Sequence, residues 1–184
     1  MIPKFPFAFR RVVQFVAAAS VMLLIPALAR AEVKLPAIFS DHMVLQRDNQ
    51  ISVWGSADPG EEVLVTFGSQ SAKTITDSHG RWKACLAKIG ASPTSQTLTV
   101  SGKNTIQFTD VIVGDVWLCS GQSNMGVYLS ECDNANSELP NANDPLLRIL
   151  RVEERTSINR EEDVKLWNGK RWRLCTPEAA EKFS

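Results

Sequence analysis

The sequence predicts two architectures in one chain, an N-terminal antiparallel β-sandwich module followed by the start of an α/β domain. Short runs of alternating polarity, separated by turn residues, fill residues 32–110. A continuous apolar run, Val116–Cys119, then breaks the alternation, as expected of a strand buried on both faces of a parallel sheet. Residues 111–184 amount to about half of a typical domain. We therefore expect the α/β domain to be incomplete.

The first 31 residues have the pattern of a secretory signal peptide. Three basic residues precede an apolar run over residues 12–28, and residues 29–31 form a small-x-small cleavage motif. The alternative is an N-terminal membrane anchor, but Gln14 and Pro26 interrupt the run. It is also shorter than the roughly 20 apolar residues of a spanning helix. We predict cleavage after Ala31 and a secreted or periplasmic protein.

The predicted β module comprises residues 32–110. Its clearest strands alternate apolar and polar residues, as in Ile51–Ser56 and Val63–Gly68. Turn signals such as Asp58-Pro59-Gly60 and Ser101-Gly102 separate the strands at intervals of about 8–12 residues, which favours a sandwich. The remaining predicted strands are Lys73–Thr76, Arg81–Leu86, Thr97–Val100 and Thr105–Phe108.

The predicted α/β part comprises residues 111–184. After the Val116–Cys119 strand we expect a turn at Ser120–Gln122. Thr176 is predicted to cap a last helix, with Pro177 in its first position. Because the chain stops soon after that helix begins, we expect a fragment or a truncated prediction of a longer protein. The intervening elements are expected to be a short helix at Asn124–Leu129, a loop at Asp133–Asp144, a strand at Leu146–Val152, a surface loop at Arg155–Lys165 and a strand or irregular segment at Trp167–Leu174.

Composition excludes several classes of function. The chain is 44% hydrophobic and 22% charged with a net charge of zero, which argues against disorder and against a field that would attract nucleic acid or an anionic membrane. We recognise no metal-binding cluster and no phosphate-binding loop, and expect no cofactor. The four cysteines contain no Cys-x-x-Cys pair, and three full pairings are possible. Cys119 is either a buried thiol or half of a bridge.

The strongest candidate for chemistry is Ser123, in a predicted turn between strand and helix. A serine nucleophile needs a general base and oxyanion donors. Gly121 allows a tight turn, and the Ser123 backbone N–H is a natural oxyanion donor. The alternative is that Ser123 only caps the following helix. Met125 replaces the final glycine of the Gly-x-Ser-x-Gly elbow, which disfavours an α/β-hydrolase.

Three blocks carry a family resemblance. Gly114–Met125 resembles the signature block of the sialate O-acetylesterase family, within the SGNH hydrolase group. Phe39–Arg47 and Asp77–Trp82 resemble two further segments of that family, in matching order. The resemblance implies an SGNH-type α/β hydrolase domain, with Ser123 attacking acetyl esters on sugars by a Ser-His-Asp type mechanism. The family's Asp and His lie in a late Asp-x-x-His block, which is absent here, and its further oxyanion donors have no secure match.

The two histidines are poor candidates for the missing base. Nothing orients His42 or His79 toward Ser123, and both are expected to be ordinary surface or packing residues. Asp41 and His42 could suggest a dyad, but adjacent strand residues point to opposite faces. We therefore predict that the chain as given has little or no esterase activity.

Other residues near the site have two interpretations each. Gln122 and Asn124 could orient the substrate, or they could stabilise the turn through bonds to the backbone. Trp167 and Trp172 could line a sugar site or could pack. The other three tryptophans follow strand patterns and are expected in the core: Trp54, Trp82 and Trp117.

Three functions remain open at this level. The leading one is a carbohydrate O-acetylesterase acting on sialic acid or other acetylated glycans. A variant is an acetyl-xylan-type deacetylase. A different class is a secreted carbohydrate-binding β module, in which residues 33–110 act without catalysis. The expected partner is an acetylated sugar or glycan, without nucleic acid and without a membrane after signal cleavage.

Overall fold

The computed structural model describes residues 32–183, which belong to one compact unit. The predicted signal peptide, residues 1–31, lies outside the described residues. The strands are β1 Val44–Gln46, β2 Ile51–Ser56, β3 Glu62–Phe67, β4 Gln70–Ile75, β5 Arg81–Leu86, β6 Ser92–Ser101, β7 Thr105–Gly114, β8 Asp144–Ile149 and β9 Arg173–Cys175. The helices are α1 Ala135–Glu138 and α2 Pro177–Glu181, with 3₁₀ turns at Ser123–Gly126, Leu129–Glu131, Leu139–Asn141 and Trp167–Gly169.

The strands form a mixed sheet and two strand pairs. The five-stranded sheet has the order β1-β7-β6-β3-β4, and β2 pairs with β5. The predicted antiparallel module is wrong in one respect, because β1 runs parallel to β7, with Val44 opposite Ile112. Parallel neighbours need a long crossover, which the chain from β2 to β6 supplies here. The described chain is thus mostly β-strand with few helices, and its main sheet is mixed.

The core lies between the five-stranded sheet and the β2-β5 pair. Period-two burial is clear in β5, where Trp82, Ala84 and Leu86 are buried and their neighbours exposed. These side chains share one buried cluster with Val65 and Phe67 of β3. The alternation predicted in residues 51–56 and 63–68 is also present, since β2 buries Ile51 and Val53 while β3 buries Val63.

A β-bulge bends β7 at Thr109 and Asp110. Leu98 pairs with Phe108 and Gln96 with Val111, so that two residues of β7 oppose one of β6. Asp110 has φ 52°, in the left-handed region. The strand continues through the bulge to Gly114, past the predicted domain boundary at 110/111, and the division into domains stays a prediction.

The predicted strand Val116–Cys119 is wrong. These residues have no regular secondary structure, and Trp117 and Leu118 are 84% and 93% exposed. Cys119 is exposed and, like the other three cysteines, a free thiol, so neither alternative for it, a buried thiol or half of a bridge, holds. An apolar run forms a buried strand only where neighbouring strands pair with it, and within residues 32–183 none does. The SGNH-type α/β domain remains a prediction.

Later elements follow the sequence more closely. The Thr176 side chain accepts a hydrogen bond from Ala179 N at 3.2 Å, so the predicted cap of α2 is confirmed. The predicted strand at Leu146–Val152 corresponds to β8. The predicted loop Asp133–Asp144 is wrong in part, since it contains α1 and a 3₁₀ turn.

Residues after β7 pack back onto the β module. Trp172 Nε1 donates to Ile38 O at 2.8 Å, and Arg171 Nη1 donates to Phe39 O at 3.2 Å. Asp163, in the predicted surface loop, accepts a hydrogen bond from Ala37 N at 2.9 Å. The two regions are therefore joined by specific hydrogen bonds along residues 37–39.

Candidate active site

Ser123 opens a short 3₁₀ turn, Ser123–Gly126. Gln122 occupies the N-cap position and its carbonyl accepts from Met125 N at 2.9 Å. Because Ser123 lies inside the turn, the alternative that Ser123 only caps the following helix does not hold. A Cβ at Gly121 would lie 2.6 Å from Met125 Cγ, so a larger residue there would require the Met125 side chain to move. The turn is exposed, including Gln122, Ser123 and Asn124.

The segment before the turn is anchored on β1. Gln46 Oε1 accepts from Val116 N at 2.8 Å, and Arg47 Nε donates to Asp115 Oδ1 at 2.9 Å. Arg47 N also donates to Gly114 O at 2.9 Å. The hydrogen bond from Arg47, followed by its positive charge, lowers the pKa of Asp115. Two of the three blocks that carry the family resemblance, residues 39–47 and 114–125, are therefore in direct contact.

A cavity of about 750 Å³ lies beside this segment. Its lining includes apolar residues on both sides of the turn, Trp117 and Val127, and two leucines of β8, Leu146 and Leu147. Ser123, Gln122 and Asn124 are outside the lining residues. The structure thus places an apolar hollow next to the turn, with the candidate nucleophile on the exposed surface.

His42 pairs with a carboxylate that the sequence did not indicate. Its Nδ1 lies 2.7 Å from Asp110 Oδ2, and Arg148 Nη2 donates to the same oxygen at 3.1 Å. Arg148 is buried, with 4% of its side chain exposed. Burial raises the pKa of Asp110, but hydrogen bonds from His42 and Ser95 and the charge of Arg148 outweigh it, so the net shift is downward.

This carboxylate–imidazole pair depends on two strained residues. His42 has φ 65° and Asp110 has φ 52°, and both are left-handed without being glycine. Asp41, which the sequence placed on the opposite face from His42, accepts from Thr109 N at 2.6 Å instead. A register shift in β7 is invisible to periodicity, so no signal in the sequence could have found the pair.

His79 lies in the turn between β4 and β5. Asp77 Oδ1 accepts from His79 N at 2.8 Å and from Arg81 N at 2.9 Å. The hydrogen bond from Arg81 is the largest influence on Asp77, whose pKa is lowered overall. Among the described residues, neither histidine lines the cavity or bonds to the Ser123 turn.

The tryptophans divide between the core and the surface. Trp82 is buried, as expected of a core residue, whereas Trp172 both packs against the core and lines the cavity, so it meets both of its interpretations. The prediction that Trp117 lies in the core is wrong, because no sheet covers its segment. The same prediction for Trp54 is wrong, because Trp54 lies on the outer face of β2, against Phe39. Trp167 stacks on Arg151, with 4.8 Å between the ring centroid and the guanidinium carbon.

Two further features concern ligands and membranes. Within residues 32–183, no group of three or more His, Cys, Asp or Glu side chains is arranged to hold a metal ion. In the same residues, no helix is both long and apolar enough to cross a membrane.

Comparison with known proteins supports the resemblance between sequence blocks. No family model matches the chain. The chain is 31% identical over 133 residues to the sialate O-acetylesterase of Mus musculus, covering 65% of this chain and 25% of that protein. It is 36% identical over 126 residues to the sialate O-acetylesterase of Homo sapiens, covering 61% of this chain and 24% of that protein. The predicted resemblance to the sialate O-acetylesterase family is confirmed.

A solved structure agrees with these acetylesterase relatives. A carbohydrate acetylesterase from Xanthomonas citri superimposes with a TM-score of 0.77 at 33% identity, covering 83% of this chain and 34% of that chain. The chain spans about a quarter of the length of the curated relatives it matches. The similarity therefore extends through most of this chain but through a minor part of each relative.

Proposed function

We propose that this chain carries the nucleophile of a carbohydrate O-acetylesterase and that Ser123 is that nucleophile. The supporting observation is the position of Ser123 in an exposed turn whose preceding residues are held by Gln46 and Arg47. Those contacts join two blocks that resemble the sialate O-acetylesterases. The acetylesterase names of the relatives support the same class of chemistry.

The proposed reaction has two steps. Ser123 Oγ attacks the carbonyl carbon of an acetyl ester while a base takes its proton, and the sugar oxygen leaves with a proton to give an acetyl-enzyme. Water then attacks the acetyl group and releases acetate and Ser123. The Ser123 N–H contributes one oxyanion donor, because the first amides of a helical turn have no partner within it. Gln122 and Asn124 flank the nucleophile and are proposed to contact the substrate.

The base is proposed to lie outside these 184 residues, in an Asp-x-x-His block. Among the described residues, neither His42, which pairs with Asp110, nor His79, in a turn of the β module, bonds to the Ser123 turn. We therefore propose that the chain is the first part of a longer acetylesterase with an SGNH-type domain, and that alone it has little or no activity. A secreted or periplasmic location is part of the same proposal.

The substrate class is an acetylated sugar, with sialic acid acetyl groups first and acetyl-xylan-type esters as a variant. A separate carbohydrate-binding role for residues 33–110 has less support. Trp172 and Arg171 bond to residues 38 and 39, and Arg148 is buried against Asp110. The β module is therefore integrated with the residues that follow it.

The test is a chimera in which this chain replaces the matching third of the Xanthomonas citri carbohydrate acetylesterase. We expect hydrolysis of a chromogenic acetyl ester that Ser123→Ala abolishes and Ser120→Ala, in the same exposed segment, preserves. Activity that persists in a folded Ser123→Ala chimera would refute the nucleophile. Robust turnover by this chain alone, lost in Ser123→Ala, would refute the missing base.

A further inference from the structure

Arg151 brings together four segments of the chain. Its guanidinium carbon lies 4.8 Å from the ring centroid of Tyr128 and 4.8 Å from that of Trp167. Nη1 donates to Lys182 O at 2.8 Å, and Nη2 lies 3.3 Å from the Tyr128 hydroxyl oxygen. A guanidinium between two aromatic faces combines stacking with directed hydrogen bonds. Arg151, just after β8, therefore links the region after Ser123 to the Trp167–Gly169 turn and to the end of α2.

Backbone hydrogen bonds reinforce the same cluster. Trp167 N donates to Arg151 O at 3.0 Å, and Leu129 N donates to Phe183 O at 3.0 Å. Tyr128 N donates to Glu131 Oε2 at 3.0 Å, which fixes the turn that begins there. Tyr128 is thus held through its ring, its hydroxyl and its amide.

Tyr128 marks the end of a long exposed stretch. Residues 115–127 are all exposed, whereas Tyr128, Leu129 and Arg151 are half-buried. Ser123 lies in this stretch, five residues before Tyr128. The stretch is held at its upstream end by Gln46 and Arg47. Its downstream end is held where Tyr128 contacts Arg151.

We propose that Arg151 is a positioning residue for Ser123, acting through Tyr128. Only four residues separate Ser123 from the fixed ring of Tyr128, which limits the positions that the Ser123 hydroxyl can reach. The candidate nucleophile is therefore held near one geometry before the substrate binds. Such orientation in advance raises the reaction rate. The inference rests on the proposed function only in naming Ser123 as the nucleophile.

Amide hydrogen exchange of the full chain tests the anchor without requiring activity. In Arg151→Met we expect exchange in peptides covering residues 120–132 to be about tenfold faster. The variant loses a stacked, hydrogen-bonded cation, so local opening of this segment costs less free energy. Arg151→Lys keeps the charge but not the planar fork, and should fall between Met and wild type. Exposed Arg155→Met is the matched control and should leave exchange unchanged.

Two results would overturn the proposal. One is unchanged exchange over residues 120–132 in Arg151→Met. The other is an equal acceleration of exchange in residues 120–132 and in β3, which would show general destabilisation. If Arg151→Met fails to fold, Tyr128→Phe is the milder variant. The effect on Ser123 is read as its labelling rate by a fluorophosphonate in the chimera, expected to fall about tenfold in Arg151→Met, as for loss of one orienting contact. If Ser123→Ala leaves the chimera active, the proposed nucleophile fails while the exchange result still decides the anchor.

Discussion

Residues 32–114 and residues 115–183 differ sharply in how they bury apolar side chains. The large side chains that are almost wholly inaccessible all lie in the first region, among them Phe67, Leu86 and Leu98. The second region has a small cluster around Ile149 and Cys175. Eleven of the thirteen large hydrophobic residues exposed in the described chain belong to this second region. The first region therefore has its own core, whereas the second depends on contacts with the first.

The contrast also separates stability from the proposed chemistry. Burial of apolar area is the main source of folding free energy, and most of it lies in the β module. Ser123 and its neighbours lie in the weakly packed region, where local opening is expected to cost less. Polar contacts such as Arg148 with Asp110 and Trp172 with Ile38 carry the connection between the two.

The largest effect expected is loss of a core ring. Phe67→Ala should lower the free energy of unfolding by about 3–5 kcal/mol, because it removes a buried aromatic group and leaves a cavity. Leu118→Ala, at a side chain 93% exposed, should change it by less than about 0.5 kcal/mol. Guanidinium-induced unfolding measures both. Similar losses of unfolding free energy in the two variants would contradict the difference in burial between the two regions.

The next effect concerns the pair that joins β7 to β8. Asp110→Ala leaves buried Arg148 without its carboxylate and should cost about 2–4 kcal/mol at pH 7. The pKa of Asp110 is lower in the folded chain than its ordinary 3.8, so the ionised carboxylate stabilises the fold above that value. This contribution is lost as the pH falls through the folded pKa. The difference in the free energy of unfolding between wild type and Asp110→Ala should therefore be smaller at pH 3 than at pH 7. An equal difference at both pH values would rule out this role.

The smallest effect tests a single hydrogen bond between the regions. Trp172→Phe keeps an aromatic ring but loses the donor to Ile38 O, which should cost about 1 kcal/mol. Trp117→Phe, on an exposed side chain, is the control and should be neutral. Thermal unfolding compares the two. A neutral Trp172→Phe would show that this hydrogen bond adds nothing to the connection between the regions.

Local sequence patterns predicted the β module well. Arg81–Leu86 was predicted with the bounds of β5, and Thr176 caps α2 as expected. Alternation, turn residues and caps act over a few neighbouring residues, so they can be recognised without the fold. Local pattern was misleading at Val116–Cys119, since an apolar run does not show whether other strands surround it.

The sequence by itself determined the strand-rich first region and the resemblance to sialate O-acetylesterases. The turn predicted at Ser120–Gln122 begins at Ser123 instead, and two short 3₁₀ turns stand in place of the predicted helix Asn124–Leu129. Only the tertiary structure decided which side chains meet. His42 and Asp110 are 68 positions apart, and Asp110 and Arg148 are 38 apart. Such contacts depend on strand register and on the bulge at Thr109 and Asp110, because one inserted residue redirects the side chains that follow. The exposure of Trp117 and Leu118 was likewise decided by which strands lie beside them.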